Sequence, residues 1–201
     1  MIAVTILIPA AGAARRMRGR DKLLEPVDGV PLLRRQAARA LGTDARVIVL
    51  VPDAAHPRAK ALAGLSVDIV PVAGAAEGMG RTLATGAAAL ADDTLAALIL
   101  PADMPDLTSG DLVAVIEAFA ETAAPVQATA CDGTPGHPVL FPADCFAALK
   151  ELTGDTGARA VLHAQDHRLQ RIALPGRHAL TDLDTPEDWA AWRATTAAPR
   201  E

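Results

Sequence analysis

Arg15, Arg16, Arg18, Arg20 and Lys22 place five cations within eight residues of a chain whose formal net charge is −5. They follow the apolar run Val4-Thr5-Ile6-Leu7-Ile8 and the small-residue segment Pro9-Ala10-Ala11-Gly12. Small residues let the backbone approach a ligand closely, and Gly12 has access to backbone angles that other residues avoid. Backbone N–H groups beside fixed cations make a site for a polyphosphate, with a nucleoside triphosphate the natural candidate. Arginine clusters also occur on solvated surface loops, but the position at the end of a first strand favours a ligand. A second chemical feature is Asp103 in Leu98-Ile99-Leu100-Pro101-Ala102-Asp103-Met104-Pro105, an acid just beyond an apolar run. In open parallel sheets, ligands bind outside the carboxyl ends of the strands, so Asp103 and the Gly12 loop are expected on one edge. A carboxylate facing a triphosphate needs a counter-charge, and Mg²⁺ with oxygen ligands supplies it. The plainer alternative is an aspartate that caps the segment after it.

Positioning these groups falls to short Val/Ile/Leu runs that alternate with Ala/Leu-rich helical stretches, the pattern of an α/β fold with a mostly parallel sheet between helices. Strands are expected at 3–8, 46–51, 67–71 and 95–100. Helices are expected at 31–41, with Pro31 in the first turn, and at 58–63, 80–91 and 112–122, the last capped by Thr108 or Ser109. The rhythm then changes. Strands at 126–131 and 139–141 flank a Gly/Pro loop and predict an antiparallel excursion in the second half. A helix at 157–164, a strand at 169–174 and a helix at 186–193 follow. Residues 1–194 read as one domain and 195–201 as a frayed tail.

The 201 residues are enough for one substantial core. Hydrophobic residues make up 51% but aromatics only 2%, so Ala, Leu, Val and Ile must build it. The acidic balance argues against a nucleic-acid binder, which carries a basic excess. Cys131 and Cys145 fit reduced thiols of a cytoplasmic protein rather than a disulfide framework. No apolar run is long enough to span a bilayer, and the early arginines follow the apolar stretch instead of preceding it, unlike a secretory signal.

The two common phosphate-loop fingerprints are absent, because Lys22 is followed by Leu23 and the loop's glycines are Gly12 and Gly19. The residue order instead resembles the signature of the molybdopterin nucleotidyltransferases, through Ala10, Ala11, Gly12, Arg16, Met17, Lys22, Leu23 and Leu24. Pro9 stands where that family usually has Leu, and Arg18 where it usually has Gly. Further strings resemble the family's in order. They are Glu77-Gly78-Met79 with Thr82 in place of Ser, Ala102-Asp103-Met104-Pro105, Gly136-His137-Pro138-Val139-Leu140-Phe141, Gly154-Asp155-Thr156-Gly157-Ala158-Arg159, and Asp182-Leu183-Asp184-Thr185-Pro186-Glu187-Asp188. Helix capping alone would explain Thr185 to Asp188, but not Asp182 and Asp184.

The resemblance covers nearly the whole chain and implies a three-layer Rossmann-like nucleotidyltransferase domain. It assigns Arg16, Lys22 and Asp103 to catalysis and Asp103 with Asp184 to Mg²⁺, holding Asp182 in reserve. Nucleotide binding falls to Ala10, Ala11, Gly12, Arg16, Lys22, Ala73, Gly74, Gly78, Met79 and Thr82. Acceptor binding falls to His137, Asp155 and Arg159. The Ala10-Ala11-Gly12 form resembles the cytidylyltransferases, and a Cβ at Ala11 would narrow the base pocket. The expected activity is therefore transfer of CMP from CTP to a molybdopterin-type acceptor, with a molybdoenzyme or its insertion chaperone as a further partner. A guanylyltransferase of the same cofactor, a sugar-phosphate nucleotidyltransferase and a non-catalytic insertion protein are the alternatives. Neither nucleic acid nor membrane is an expected partner.

Overall fold

The computed structural model describes residues 3–196. β1 (Val4–Pro9) is buried up to the intermediate Pro9, as a strand covered on both faces must be. It lies between β4 (Arg46–Val51) and β6 (Ala96–Ile99), parallel to both, and β5 (Asp68–Pro71) pairs in parallel beyond β4. Across β6 lies β8 (Pro135–Pro142), antiparallel to β6 and to β7 (Val126–Thr129), and β9 (Gln170–Ala173) closes the sheet in parallel with β7. The seven-stranded order is β5-β4-β1-β6-β8-β7-β9. The expected antiparallel excursion is thus one reversed strand inserted between two that share a direction. A separate small hairpin, β2 (Pro26–Val27) and β3 (Val30–Pro31), turns at Asp28-Gly29, a pair suited to a two-residue hairpin.

Alternation along the strands divides the core. Ile6, Ile8, Val47, Val49, Leu98 and Leu100 face α1 (Leu32–Leu41), α2 (Pro57–Ala61) and α4 (Ser109–Thr122), through Leu33, Ala59, Leu112 and Val115. The other face carries Leu7, Ile48, Leu50 and Ala97 in one cluster, and Ile99, Val139 and Phe141 in another. It is covered by α3 (Met79–Ala88), α5 (Phe146–Lys150) and α6 (Arg159–His163). The last helix, α7 (Pro186–Thr196), docks Trp189 against Met17, Val27, Leu32 and Leu183.

Several expected boundaries move. Pro31 ends β3 with extended backbone and stands outside α1 rather than in its first turn. β8 begins at Pro135, well before residue 139, because an irregular register opposite Gln127 and Thr129 lets Gly136 and Pro138 lie within a strand. α7 continues through Thr195 and Thr196, whose hydroxyls donate to Trp192 O at 2.8 and 3.0 Å. The rest of the expected tail, 197–201, lies outside the described residues. Among the described residues, no helix is long and apolar enough to cross a membrane.

Candidate active site

Three chain segments converge at the carboxyl edge of β1 and β6. The first is the arginine loop. Met17 in its short 3-10 turn is fully buried, fastening the loop to the hairpin and α7. From behind, Arg58 of α2 holds it. This side chain is only 3% exposed, and its guanidinium donates to Ala10 O at 2.6 Å and Gly12 O at 2.7 Å. It also donates to both carboxylate oxygens of Asp21, at 2.7 and 2.9 Å. Gly12 does not adopt a positive φ, contrary to the expectation, and a Cβ there would meet nothing within 4 Å. What its lack of a side chain provides is open space above the backbone.

The second segment, after β6, carries Asp103. α1 ties it down: Gln36 Nε2 donates to Met104 O, and Arg39 Nη1 donates to Pro105 O at 2.6 Å and Leu107 O at 2.5 Å. Trp192 Nε1 donates to Asp106 at 2.8 Å from the other side. The third segment precedes α7. Leu183 N donates to Asp103 O at 3.1 Å, which sets Asp184 beside Asp103. Asp188 accepts from the N–H groups of Asp184 and Thr185 at 3.1 and 2.8 Å, closing the helix start.

Lys22 joins the three segments. Its ammonium donates to Asp103 Oδ2 and, at 2.6 Å, to Asp184 Oδ1. Arg16 pairs with Asp184 Oδ2 at 2.7 Å. Burial alone would lower the pKa of Lys22, but the carboxylates of Asp103 and Asp184 outweigh it and hold that pKa above the ordinary value. Desolvation raises Asp182, with Asp103 and Asp184 adding like-charge repulsion. His137 remains open to solvent at its surface, yet desolvation lowers its imidazole against the pull of Asp103 and Asp182. At neutral pH the site therefore offers two cations, the two carboxylates they hold, and an imidazole that disfavours its charged form.

The other predicted residues fall into two groups. Ala10 and Ala11 are buried, so only their backbones can face a ligand, and the Ala11 side chain packs in a cluster with Leu7, Leu50 and Val72. Thr82 is also buried, with its hydroxyl 3.4 Å from Gly78 O inside the first turn of α3. Met79 is 42% exposed, and Ala73 is exposed with its carbonyl accepting from Arg81 Nε at 3.1 Å. Gly78, at φ +120°, lies so close to the Gly154-Asp155 loop that a Cβ would stand 2.3 Å from Asp155 Oδ1. Gly80 N donates to Gly154 O at 2.8 Å. The Gly78 and Asp155 strings thus form one paired loop unit, with Gly74 before it and exposed Arg159 at the start of α6 after it.

Of the remaining loop cations, Arg18 pairs with Glu187 at 2.6 Å and Arg20 with Glu25 at 3.3 Å. An open concavity of about 320 Å³ lies against the loop between Arg15, Arg20, His56 and Arg58. A cavity of about 350 Å³ lies at the opposite edge, around Thr5, Asp44 and Asp93, away from these groups. Among the described residues, no three His, Cys, Asp or Glu side chains gather as a metal cage. A cation between Asp103 and Asp184 would therefore complete its coordination with oxygens from water or a ligand.

The family model described as MobA-like NTP transferase domain matches residues 6–169 of this chain. A protein of Natronomonas pharaonis named probable molybdenum cofactor guanylyltransferase is 33% identical over 195 residues, covering 92% of this chain and 94% of that one. Among solved structures, Rv0371c of Mycobacterium tuberculosis H37Rv superposes with a TM-score of 0.80 at 26% identity, covering 95% of this chain and 97% of that one. A structure of Rv0371c in complex with manganese superposes with a TM-score of 0.76 at 25% identity, covering 94% and 97%.

Proposed function

The chain belongs to the MobA-like NTP transferase family, and from that premise we propose that it transfers CMP from CTP to the phosphate of molybdopterin cofactor. One observation carries the reading. Arg16, Lys22, Asp103 and Asp184, from three distant segments, meet at the strand edge where a nucleotide would lie.

In the proposed reaction an acceptor phosphate oxygen attacks the α-phosphorus of the nucleotide. A new P–O bond forms, the α–β P–O bond breaks, and pyrophosphate leaves. Such transfer depends on positioning and charge stabilisation more than on a protein nucleophile. Arg16 and Lys22 would neutralise the triphosphate and the leaving pyrophosphate. The acceptor phosphate is already anionic at neutral pH and needs no strong base. His137, Asp155 and Arg159 would orient it, with Arg159 the cation of the three.

Asp103 and Asp184 fit a divalent ion. They offer hard carboxylate oxygens and already hold a cation, the Lys22 ammonium, that stands in for its charge. Bound there, Mg²⁺ would offset the charge that builds on the α-phosphate. Gly12, where a Cβ would meet nothing within 4 Å, leaves room for the nucleotide.

The cytidine preference is supported by the Ala10-Ala11-Gly12 form. The Ala11 side chain itself packs into the core with Leu7, Leu50 and Val72, so the preference rests on the residue order of the loop and not on a methyl at the base wall. Guanylyl transfer is the second reading, favoured by the name of the Natronomonas relative. The test is incubation with Mg²⁺, molybdopterin cofactor and each of CTP, GTP, ATP and UTP, quantifying pyrophosphate and dinucleotide. Turnover with CTP alone supports the proposal, turnover with GTP transfers it to the second reading, and silence with all four overturns both.

A further inference from the structure

Lys22 lies where a divalent ion held by Asp103 and Asp184 would have to lie, touching one carboxylate on each side. Arg16 occupies the outer oxygen of Asp184. The two acids are thus balanced by two protein cations before any ligand arrives. Adding a divalent ion to that set would crowd it between the Lys22 and Arg16 cations, with Asp182 the one further carboxylate nearby, an arrangement like-charge repulsion opposes. A triphosphate changes the balance by giving both protein cations a new partner and supplying the oxygens that two aspartates cannot.

We propose that Lys22 is an exchangeable counter-ion: it fills the cation position between Asp103 and Asp184 until a nucleoside triphosphate draws it away and a divalent ion takes its place. The exchange deepens the nucleotidyltransferase reading and rests on it. The route out is toward solvent: the Lys22 side chain is 18% exposed, and Arg16 beside it is 70% exposed. Asp103 and Asp184, by contrast, are fixed by the bond from Leu183 N to Asp103 O and by the Asp188 cap. A cation on a long, rotatable stem between two acids set by their own segments is what a vacating group requires. Metal and nucleotide then bind as a coupled pair, each strengthening the other by the same factor.

The test measures free Mn²⁺ by electron paramagnetic resonance during titration of the full chain without nucleotide. Lys22→Met and the polar variant Lys22→Gln, checked for wild-type thermal unfolding, should each bind Mn²⁺ at least about tenfold more tightly than wild type. Lys22→Arg, which keeps the charge, should not gain. Asp184→Asn in the Lys22→Gln background should abolish the gain. Equal Mn²⁺ affinity in wild type and the folded neutral variant overturns the exchange, whatever the wild-type enzyme does with the four nucleotides. Tighter Mn²⁺ binding in the variant, beside a wild-type chain that turns over none of them, upholds Lys22 as the occupant of the cation position and sinks the nucleotidyl-transfer reading.

Discussion

Arg58 grips Asp21 with two parallel bonds, Nε to Oδ2 at 2.7 Å and Nη2 to Oδ1 at 2.9 Å, from beneath the loop that Asp21 terminates. Its third nitrogen takes the carbonyls of Ala10 and Gly12. Drawing those carbonyls inward leaves the opposite side of the loop to its N–H groups and to Arg16 and Lys22.

Arg58→Ala would leave the part-buried Asp21 carboxylate, the buried Ala10 carbonyl and the Gly12 carbonyl without their partner. Loss of one partner from a buried pair costs about 3–5 kcal/mol. Urea unfolding of the variant should show a loss of that order, and the KM for the nucleotide should rise more than kcat falls. A loss below about 1 kcal/mol would show that the pair carries no stability beyond an exposed one.

Arg18 has φ 53° and ψ 47°, the left-handed region, at a position where the family usually has glycine. A side chain there costs roughly 1–2 kcal/mol, partly offset by the freedom glycine loses on folding. Arg18→Gly and Arg18→Ala both remove the pair with Glu187, so comparing them isolates the backbone. The glycine variant should be the more stable by about 1 kcal/mol in chemical unfolding. Equal stabilities would remove the strain argument.

Burial, with Asp144 beside it, pushes the Cys145 thiol up to about 11, while Cys131 is exposed. A folded-state value above that of the unfolded chain stabilises the fold below the unfolded pKa. That contribution is lost as pH rises through the folded value, here over about 9 to 11. Native iodoacetamide labelling at pH 8 should therefore modify Cys131 first and Cys145 only after denaturation, as peptide mass spectrometry would read. Comparable labelling of both in the folded protein would contradict the burial.

The strand pattern made the central sheet legible because β1, β4 and β6 are buried on both faces and read as continuous apolar runs. Asp103 was legible for the same reason, since strand ends in parallel sheets point to ligands. Arg58 was not. A lone arginine early in a short helix reads as surface, and its partners lie 37 to 48 positions away in sequence. The only available hint was Asp21, the single acid among the loop's cations. The start of β8 was hidden by Gly136 and Pro138, which signal a loop unless a register irregularity accommodates them. Of the two readings of Gly12, its backbone angles and its small size, the structure shows no positive φ there but open space where a Cβ would stand.

The reversed strand β8 orders the protein in time. It sits between β6 and β7 yet is made after both, so the four neighbours from β5 to β6 are complete while the remainder of the chain is still leaving the ribosome. That early sheet already has Arg16, Lys22 and Asp103 along one edge, but Asp184 is synthesised with the last helix. Until α7 is made, Arg16 lacks its partner Asp184 and Lys22 has only Asp103 of its two carboxylates.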